Sequence, residues 1–183
     1  MQFRILEITE TEKFQFLRIY KNGNKSVLEC IIENYPGKFW QSTSPVKNKP
    51  RFAIIRDPYE RFISGLKYDL DLQNLKLKDI DKEDLYQSLI NIKKRDEGRI
   101  NHTGSQVPYL INTHIDWYVD IKDLSLFLKM HFNKIEYESV GKKNIELDID
   151  KEEVMKHLQL DYYVYNSIKN SSFLWKWQNG IIL

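Results

Sequence analysis

The residues best suited to binding chemistry lie at 52–65, where Arg56 and Ser64 follow an apolar run of strand length. The run Phe-Ala-Ile-Ile ends on Arg56, an Asp-Pro turn comes next, and the residues after it have a helical pattern. We therefore expect Arg56 at the carboxyl end of a strand, where open α/β sheets bind ligands. Ser64 lies about two helical turns further on and can return toward the same crevice. A forked guanidinium and a neutral hydroxyl together suit a phosphate.

A second group of candidate anion-binding residues lies at 21–26, between a predicted strand and a predicted helix. Such a junction offers free backbone N–H groups and the positive end of a helix dipole to an anion. The contributions expected here are close backbone approach at Gly23, charge at Lys21 and Lys25, and a hydroxyl at Ser26. A complete nucleoside-triphosphate loop would need glycines in place of Ile19 and Asn24. An ordinary turn with solvated lysines is the alternative interpretation of this segment.

The elements that must position these residues follow from the spacing of apolar residues. Strands are predicted at 14–20, 39–43, 51–55 and 117–121. Helices are predicted at 25–34, 58–69, 82–94, 124–132, 151–159 and 161–169, and 106–112 is predicted as either a helix or an extended segment. Strand alternating with helix favours a parallel sheet with crossover helices. The predicted fold class is α/β, a three-layer sandwich with a small parallel sheet flanked by helices.

Length, composition and charge limit the classes of protein to which this chain can belong. The chain has 183 residues, which predicts a single domain over 1–183, and 42% hydrophobic with 30% charged residues is typical of a soluble globular protein. A net charge of +2 gives no reason to expect nucleic acid as a partner. The single Cys30 excludes an intramolecular disulfide and a cysteine-based zinc cluster. Because no apolar run approaches the length of a membrane span and no signal peptide opens the chain, we expect a cytoplasmic protein with no membrane partner.

Taken together, the two segments resemble those of sulfotransferases that use 3′-phosphoadenosine 5′-phosphosulfate (PAPS). In that family a strand–loop–helix of the type Lys-x-Gly-x-Ser/Thr-Ser/Thr cradles the 5′-phosphosulfate. A later strand ends in Arg-Asp/His-Pro-x-x-Arg-x-x-Ser, whose first Arg and last Ser hold the 3′-phosphate. The counterparts here are Lys-Asn-Gly-Asn-Lys-Ser at 21–26 and Arg-Asp-Pro-Tyr-Glu-Arg-Phe-Ile-Ser at 56–64. The resemblance covers about 14–132 and implies a P-loop-like fold.

A third segment, 102–110, resembles the His-x-x-Pro-Gln-x-x-Tyr-Leu of carbohydrate-type members, with Ser105 where proline is usual. It implies a carbohydrate hydroxyl, or another hydroxyl group, as the acceptor. The chain departs from the family in the short interval between Lys21 and Arg56, a region that normally helps to shape the acceptor site. No N-terminal membrane anchor is recognisable, so we expect a protein distinct from Golgi-resident members.

The resemblance also implies roles for individual residues. Lys21 would contact the oxygens of the leaving group, and His102 is the first candidate for the base that accepts the acceptor's proton. Alternative bases are Glu33, Asp69 and Asp71, and a loop histidine without a catalytic role is the other interpretation of His102. The expected PAPS-binding residues are Lys21, Asn22, Gly23, Asn24, Lys25, Ser26, Arg56 and Ser64. No metal is needed if lysines and backbone N–H groups neutralise the developing charge.

The sequence thus predicts a PAPS-dependent sulfotransferase that releases 3′-phosphoadenosine 5′-phosphate. Two alternatives stay open. One is a non-catalytic nucleotide-binding module of the same fold. The other is a small P-loop kinase, which would require a complete Walker loop and a metal-binding acidic strand.

Overall fold

The computed structural model describes residues 7–83, 85–86, 102–111, 113–132, 147 and 149–176. Within these residues the strands are β1 Ile8–Thr11, β2 Gln15–Leu17, β3 Phe39–Ser42, β4 Arg51–Ile55 and β5 Trp117–Asp120. The helices are α1 Asn24–Asn34, α2 Pro58–Leu72, α3 Val107–Ile111, α4 Leu124–Phe132, α5 Lys151–His157 and α6 Gln159–Lys169. Short 3₁₀ turns occur at Leu77–Asp79 and Ile121–Asp123.

The described strands form one mixed sheet in the order β3-β1-β2-β4-β5. Strands β2, β4 and β5 are parallel, with Phe16 opposite Phe52 and Ile55 opposite Asp120. Strand β1 is antiparallel to both β2 and β3. The α/β class is confirmed, and the expected parallel sheet is confirmed for β2, β4 and β5, whereas β1 and β3 extend it in antiparallel fashion. The tight turn that links β1 to β2, closed by a bond from the Thr11 N–H to the Phe14 carbonyl, permits only an antiparallel pair.

Helices cover both faces of the sheet. In β4, Phe52 and Ile54 belong to a core cluster that includes residues of α1 and α4, whereas Ala53 and Ile55 belong to one that includes residues of α3 and α6. Successive strand residues point to opposite faces, so the two clusters lie on opposite sides. The arrangement is compatible with the predicted three-layer sandwich. A third cluster joins α2 to α5 through Leu66 and Val154.

Local signals account for the connection from β4 to α2. Asp57 caps α2 by accepting a hydrogen bond from the Glu60 N–H at 3.0 Å, and Pro58 occupies the first helical position. The helix continues to Leu72, three residues beyond its predicted end.

Most other predicted elements are observed. The 124–132 helix has its predicted bounds, both C-terminal helices are present, and the ambiguous 106–112 segment contains the helix Val107–Ile111. The predicted 82–94 helix lies largely outside the described residues. None of the described helices is both long enough and apolar enough to cross a membrane.

Candidate functional site

The carboxyl ends of β2 and β4 bring the first two predicted segments together. Because β2 and β4 are adjacent and parallel, the residues that follow them lie at the same edge of the sheet. The Arg56 guanidinium donates through Nη1 to the Lys21 carbonyl at 3.2 Å. Its Nε lies 3.8 Å from a carboxylate oxygen of Glu60, one turn into α2. The strand-end arginine therefore contacts the turn that precedes α1.

That turn has a left-handed backbone at two positions. The φ angles are 64° at Lys21 and 77° at Gly23. A positive φ is uncommon for a lysine, and this conformation turns the chain sharply into α1, which begins at Asn24. No side chain of the described residues caps the helix. The N–H groups of its first turn have no partner within the helix and are suited to an anion.

A pair of amide side chains joins this turn to β4 and to the 102–106 loop. Asn22 is fully buried and donates through Nδ2 to the Ile54 carbonyl at 2.7 Å and to Gln106 Oε1 at 3.1 Å. Gln106 in turn donates to the Arg56 carbonyl at 3.0 Å. The Asn22 N–H is also used, in a bond to the Ile19 carbonyl at 3.2 Å. Asn22, predicted as a cofactor contact, therefore serves to join three segments in this structure.

One face of α2 anchors the loop that carries His102. Arg61, Gly65 and Asp69 are spaced four residues apart and so lie on the same face of the helix. The Arg61 guanidinium donates to the carbonyls of Thr103, at 2.8 Å, and Gly104. A Cβ atom added to Gly65 would lie 2.3 Å from the His102 carbonyl oxygen, so only glycine permits this approach. Asp69 accepts a hydrogen bond from the His102 N–H at 2.8 Å.

The imidazole of His102 is held on three sides. Its Nδ1 is hydrogen-bonded to the second oxygen of Asp69, a residue that is 1% exposed. The rings of Tyr20 and Tyr68 meet it edge-on, with centroids 5.3 Å and 4.7 Å away. The histidine side chain is itself 19% exposed, so it is fixed without being sealed from solvent.

The neighbouring face of α2 connects Arg56 to Lys21. Glu60, Ser64 and Tyr68 are also spaced four residues apart and lie along this face. At one end Glu60 faces Arg56, and at the other the Lys21 ammonium lies 4.0 Å from the Tyr68 ring centroid. Ser64 is half-buried between these two contacts. The structure therefore places Ser64 on the face of α2 that runs between the two predicted cationic groups.

The surroundings of Lys21 shift the pKa of its ammonium. Burial lowers the pKa of the Lys21 ammonium below its ordinary value of 10.5. The Asp69 carboxylate acts to raise that pKa, and the positive charge of Arg56 lowers it. Repulsion between two cations in a partly desolvated site is a cost that a bound anion would relieve.

The other residues predicted to bind PAPS or to act as the base differ in their burial and in their contacts. Ser26 is buried in the first turn of α1, whereas Lys25 is exposed and pairs with Glu29 at 3.8 Å. Asn24 Oδ1 is buried and has no hydrogen-bond partner among the described residues. Among the alternative bases, Glu33 and Asp71 are exposed, whereas Asp69 is buried and contacts His102.

Tyr68 contributes to the site although no sequence motif indicates it, and Gln106 is indicated only as the matching Gln of the 102–110 segment. Tyr68 contacts both Lys21 and His102, and Gln106 connects Asn22 to the Arg56 carbonyl. The four-residue spacing of Arg61, Gly65 and Asp69 indicates that they share one face of a helix. The sequence alone does not show that this face packs against the loop that carries His102.

A carboxylate at the end of β5 is neutralised by groups of the protein itself. Asp120 is fully buried and accepts hydrogen bonds from the Tyr165 hydroxyl and the Lys169 ammonium, each at 2.9 Å. Burial acts to raise the pKa of Asp120, but the bonds from the Lys122 N–H, Lys169 and Tyr165 outweigh it and lower the pKa overall. The same carboxylate raises the pKa of Tyr165, after the larger effect of burial.

Within the described ranges no three histidine, cysteine or acidic side chains are grouped so that they could hold a metal ion. Comparisons of the chain with protein-family models, with curated proteins and with solved structures found no match.

Proposed function

We propose that this protein is a sulfotransferase that moves a sulfuryl group from PAPS to an acceptor hydroxyl, with a carbohydrate as the acceptor class. One observation carries the proposal: the Lys21 turn, the Arg56 strand end and the His102 loop meet at one edge of the sheet. The hydrogen bonds of Asn22 and Gln106 join all three segments. These are the segments whose residues resemble the PAPS-dependent family.

The residues present fit an anionic nucleotide with two separate phosphate positions. Lys21 and the uncapped first turn of α1 supply one positive region, and Arg56 at the end of β4 supplies another, to which Ser64 on α2 would add a hydroxyl. Arg56 lowers the pKa of Lys21, after the larger effect of burial, so the two cations are close enough to repel each other. Bound phosphates would relieve this repulsion and favour the charged lysine. Arg56 and Ser64 would hold the 3′-phosphate that distinguishes PAPS from ATP.

PAPS supplies a sulfuryl group whose bond to the phosphate oxygen breaks as the acceptor oxygen bonds to sulfur. Lys21 would place its ammonium near the leaving phosphate and offset the negative charge that develops there. Gly23, Asn24, Lys25 and Ser26 add backbone N–H groups, a hydroxyl and a second ammonium. His102 receives the proton of the acceptor hydroxyl at Nε2, the ring nitrogen that is not bonded to Asp69.

The environment of Asp120 disfavours the kinase alternative. A kinase of this fold class uses an acidic residue at a strand end as a magnesium ligand. Here the carboxylate of Asp120 already accepts hydrogen bonds from Lys169, Tyr165 and the Lys122 N–H. The ammonium of Lys169 thus lies where a cation would be needed.

Calorimetry with 3′-phosphoadenosine 5′-phosphate and with ADP tests the donor assignment. We expect binding of the first nucleotide and weak or no binding of ADP. Arg56→Ala should weaken binding by about tenfold to a hundredfold, because a charge-assisted hydrogen bond contributes about 1.5–3 kcal/mol. Lys129→Ala, an exposed cation on α4, is the control and should bind normally. Equal affinity for the two nucleotides would contradict the 3′-phosphate assignment.

A sulfate-transfer assay over a panel of glycans tests turnover. We expect transfer to at least one sugar hydroxyl, lost in Lys21→Met. A chain that binds 3′-phosphoadenosine 5′-phosphate but transfers sulfate to no acceptor would instead be the non-catalytic module.

A further inference from the structure

We propose that Asp69 is a positioning residue that holds His102 as the Nδ1–H tautomer and leaves Nε2 bare as the proton acceptor; its catalytic consequence rests on the proposed function. The starting observation is that Asp69 uses both carboxylate oxygens on the same residue. One oxygen accepts the His102 backbone N–H at 2.8 Å, and the other is bonded to ring Nδ1.

The tautomer follows from the chemistry of the two partners. An ionised carboxylate can only accept hydrogen bonds, so the ring nitrogen that faces it must carry the hydrogen. In a neutral imidazole the other nitrogen then has a lone pair. Asp69 is 1% exposed, so the side of the ring that carries Nδ1 faces the interior. Nε2 lies on the opposite side of the ring, away from the carboxylate.

The plane of the imidazole is set independently of its tautomer. Tyr20 and Tyr68 meet the ring at interplanar angles of 88° and 72°. Tyr20 is in turn held by a hydrogen bond from its hydroxyl to Glu7. Rotation about the Cβ–Cγ bond of His102 would break the Asp69 bond and displace both edge-on contacts, so a single orientation is favoured.

The fixed orientation of the His102 ring matters for catalysis because of where Lys21 lies. Lys21 and His102 contact the same Tyr68 ring, so the group assigned to the leaving phosphate and the group assigned to the acceptor both pack around one side chain of α2. A base that must take a proton during an in-line transfer needs a fixed lone pair, because misalignment costs rate directly. Asp69 fixes the His102 ring and is not itself assigned a contact with the donor or the acceptor.

The first test reads the tautomer directly and needs no turnover. In ¹⁵N-labelled protein, long-range proton–nitrogen correlation spectra at a pH where His102 is neutral should show hydrogen on Nδ1 and none on Nε2. His102→Gln assigns the signals among the histidines. Asp69→Asn should shift the population toward the Nε2–H form, because the amide can donate to Nδ1 while its oxygen still accepts the His102 N–H. Asp123→Asn, an exposed carboxylate outside the site, is the control.

The second test reads catalysis. Asp69→Asn should lower kcat by about a hundredfold, the lower range for loss of a well-placed general base, while the KM values for donor and acceptor stay close to wild type. A purely structural role would lower both parameters or the folded fraction instead. Observation of the Nε2–H tautomer in the wild-type protein overturns the proposal even if Asp69→Asn does not fold. An Asp69→Asn enzyme with unchanged kcat overturns the catalytic consequence drawn from it.

The two tests separate this proposal from the proposed function. The tautomer assignment stands or falls by the spectra alone. If the spectra show the Nδ1–H tautomer and no acceptor is ever sulfated, it is the sulfotransferase assignment that fails, and Asp69 still positions His102.

Discussion

The ammonium of Lys21 lies 4.0 Å from the centroid of the Tyr68 ring. The cation of the 21–26 segment therefore contacts α2, the helix that begins within the 56–64 segment. The His102 imidazole meets the same ring, with the centroids 4.7 Å apart. Because Tyr68 lies one residue before Asp69 on α2, a single turn of helix contacts both predicted catalytic groups. The site is therefore organised around α2 as well as around the strand ends.

Nucleotide binding should take up protons at alkaline pH. Burial lowers the pKa of Lys21 below 10.5 in the free protein, so a fraction of the lysine is neutral as the pH approaches that lowered value. A bound phosphate favours the charged form, so binding restores the lost proton. Calorimetry with 3′-phosphoadenosine 5′-phosphate in buffers of different ionisation enthalpy measures this uptake. It should disappear in Lys21→Met and persist in Lys38→Met, an exposed lysine paired with Glu12. Proton release on binding would contradict the assignment.

Gly65→Ala should destabilise the protein. Alanine in place of glycine normally stabilises a helix interior by about 1 kcal/mol. At this position the added Cβ would lie 2.3 Å from the His102 carbonyl oxygen and 2.6 Å from its carbon, and backbone atoms cannot rotate away. We expect a net loss of about 1–3 kcal/mol in the free energy of unfolding, measured in urea. Leu72→Ala, an exposed position on the same helix, should change it little. A Gly65→Ala protein as stable as the wild type would show that α2 and the loop that carries His102 can move apart at little cost in free energy.

Asp120→Asn should lower stability at neutral pH and have less effect in acid. The pKa of Asp120 is lowered in the folded protein, so its stabilising contribution is present above the ordinary value of 3.8 and is lost as the pH falls below it. Loss of the charge weakens the bonds from Tyr165 and Lys169, at a cost of about 2 kcal/mol. Urea unfolding of the wild type and the variant, at neutral pH and below pH 3.8, measures the difference in the free energy of unfolding under both conditions. Asp123→Asn, which is exposed, is the matched control. A stability difference that persists undiminished in acid would argue against a charged Asp120.

Asn22→Ala should reduce stability and weaken nucleotide binding together. The substitution leaves the buried Ile54 carbonyl and Gln106 Oε1 without their donor. An unsatisfied buried acceptor costs about 1–3 kcal/mol, and the Lys21 turn loses its attachment to β4. Denaturant unfolding and calorimetry on the same variant measure the two effects. Asn166→Ala, exposed on α6, should alter neither. Weak binding without a change in stability would mean that Asn22 contacts the ligand rather than the neighbouring segments.

Strand β1 shows where sequence patterns fail. Its residues Ile8, Thr9, Glu10 and Thr11 are all buried, yet the segment is largely polar and was not predicted as a strand. Its burial is possible because Glu10 pairs with Lys49 at 2.6 Å and accepts a bond from Gln15 at 3.2 Å. Lys49 is distant along the chain, so no local pattern indicates that the charge will be satisfied.

The sequence by itself determined the local parts of this protein. The β4–turn–α2 unit follows from an apolar run, an Asp cap and a Pro at the first helical position, and the helix Leu124–Phe132 follows from its apolar spacing. These signals act between residues a few positions apart. The sequence also named Lys21, Arg56, Ser64 and His102 as candidates, through residue types placed beside predicted strand ends.

Only the tertiary structure decided how those candidates meet. The Asn22–Gln106 bond, the anchoring of the His102 loop by Arg61 and Asp69, and the contacts of Lys21 and His102 with the Tyr68 ring all join residues far apart in the chain. Such contacts exist only once the parallel strands have set the edge of the sheet and α2 has packed beside it. A hydrogen bond or a ring contact requires a distance of a few ångströms, and residue type alone does not supply one.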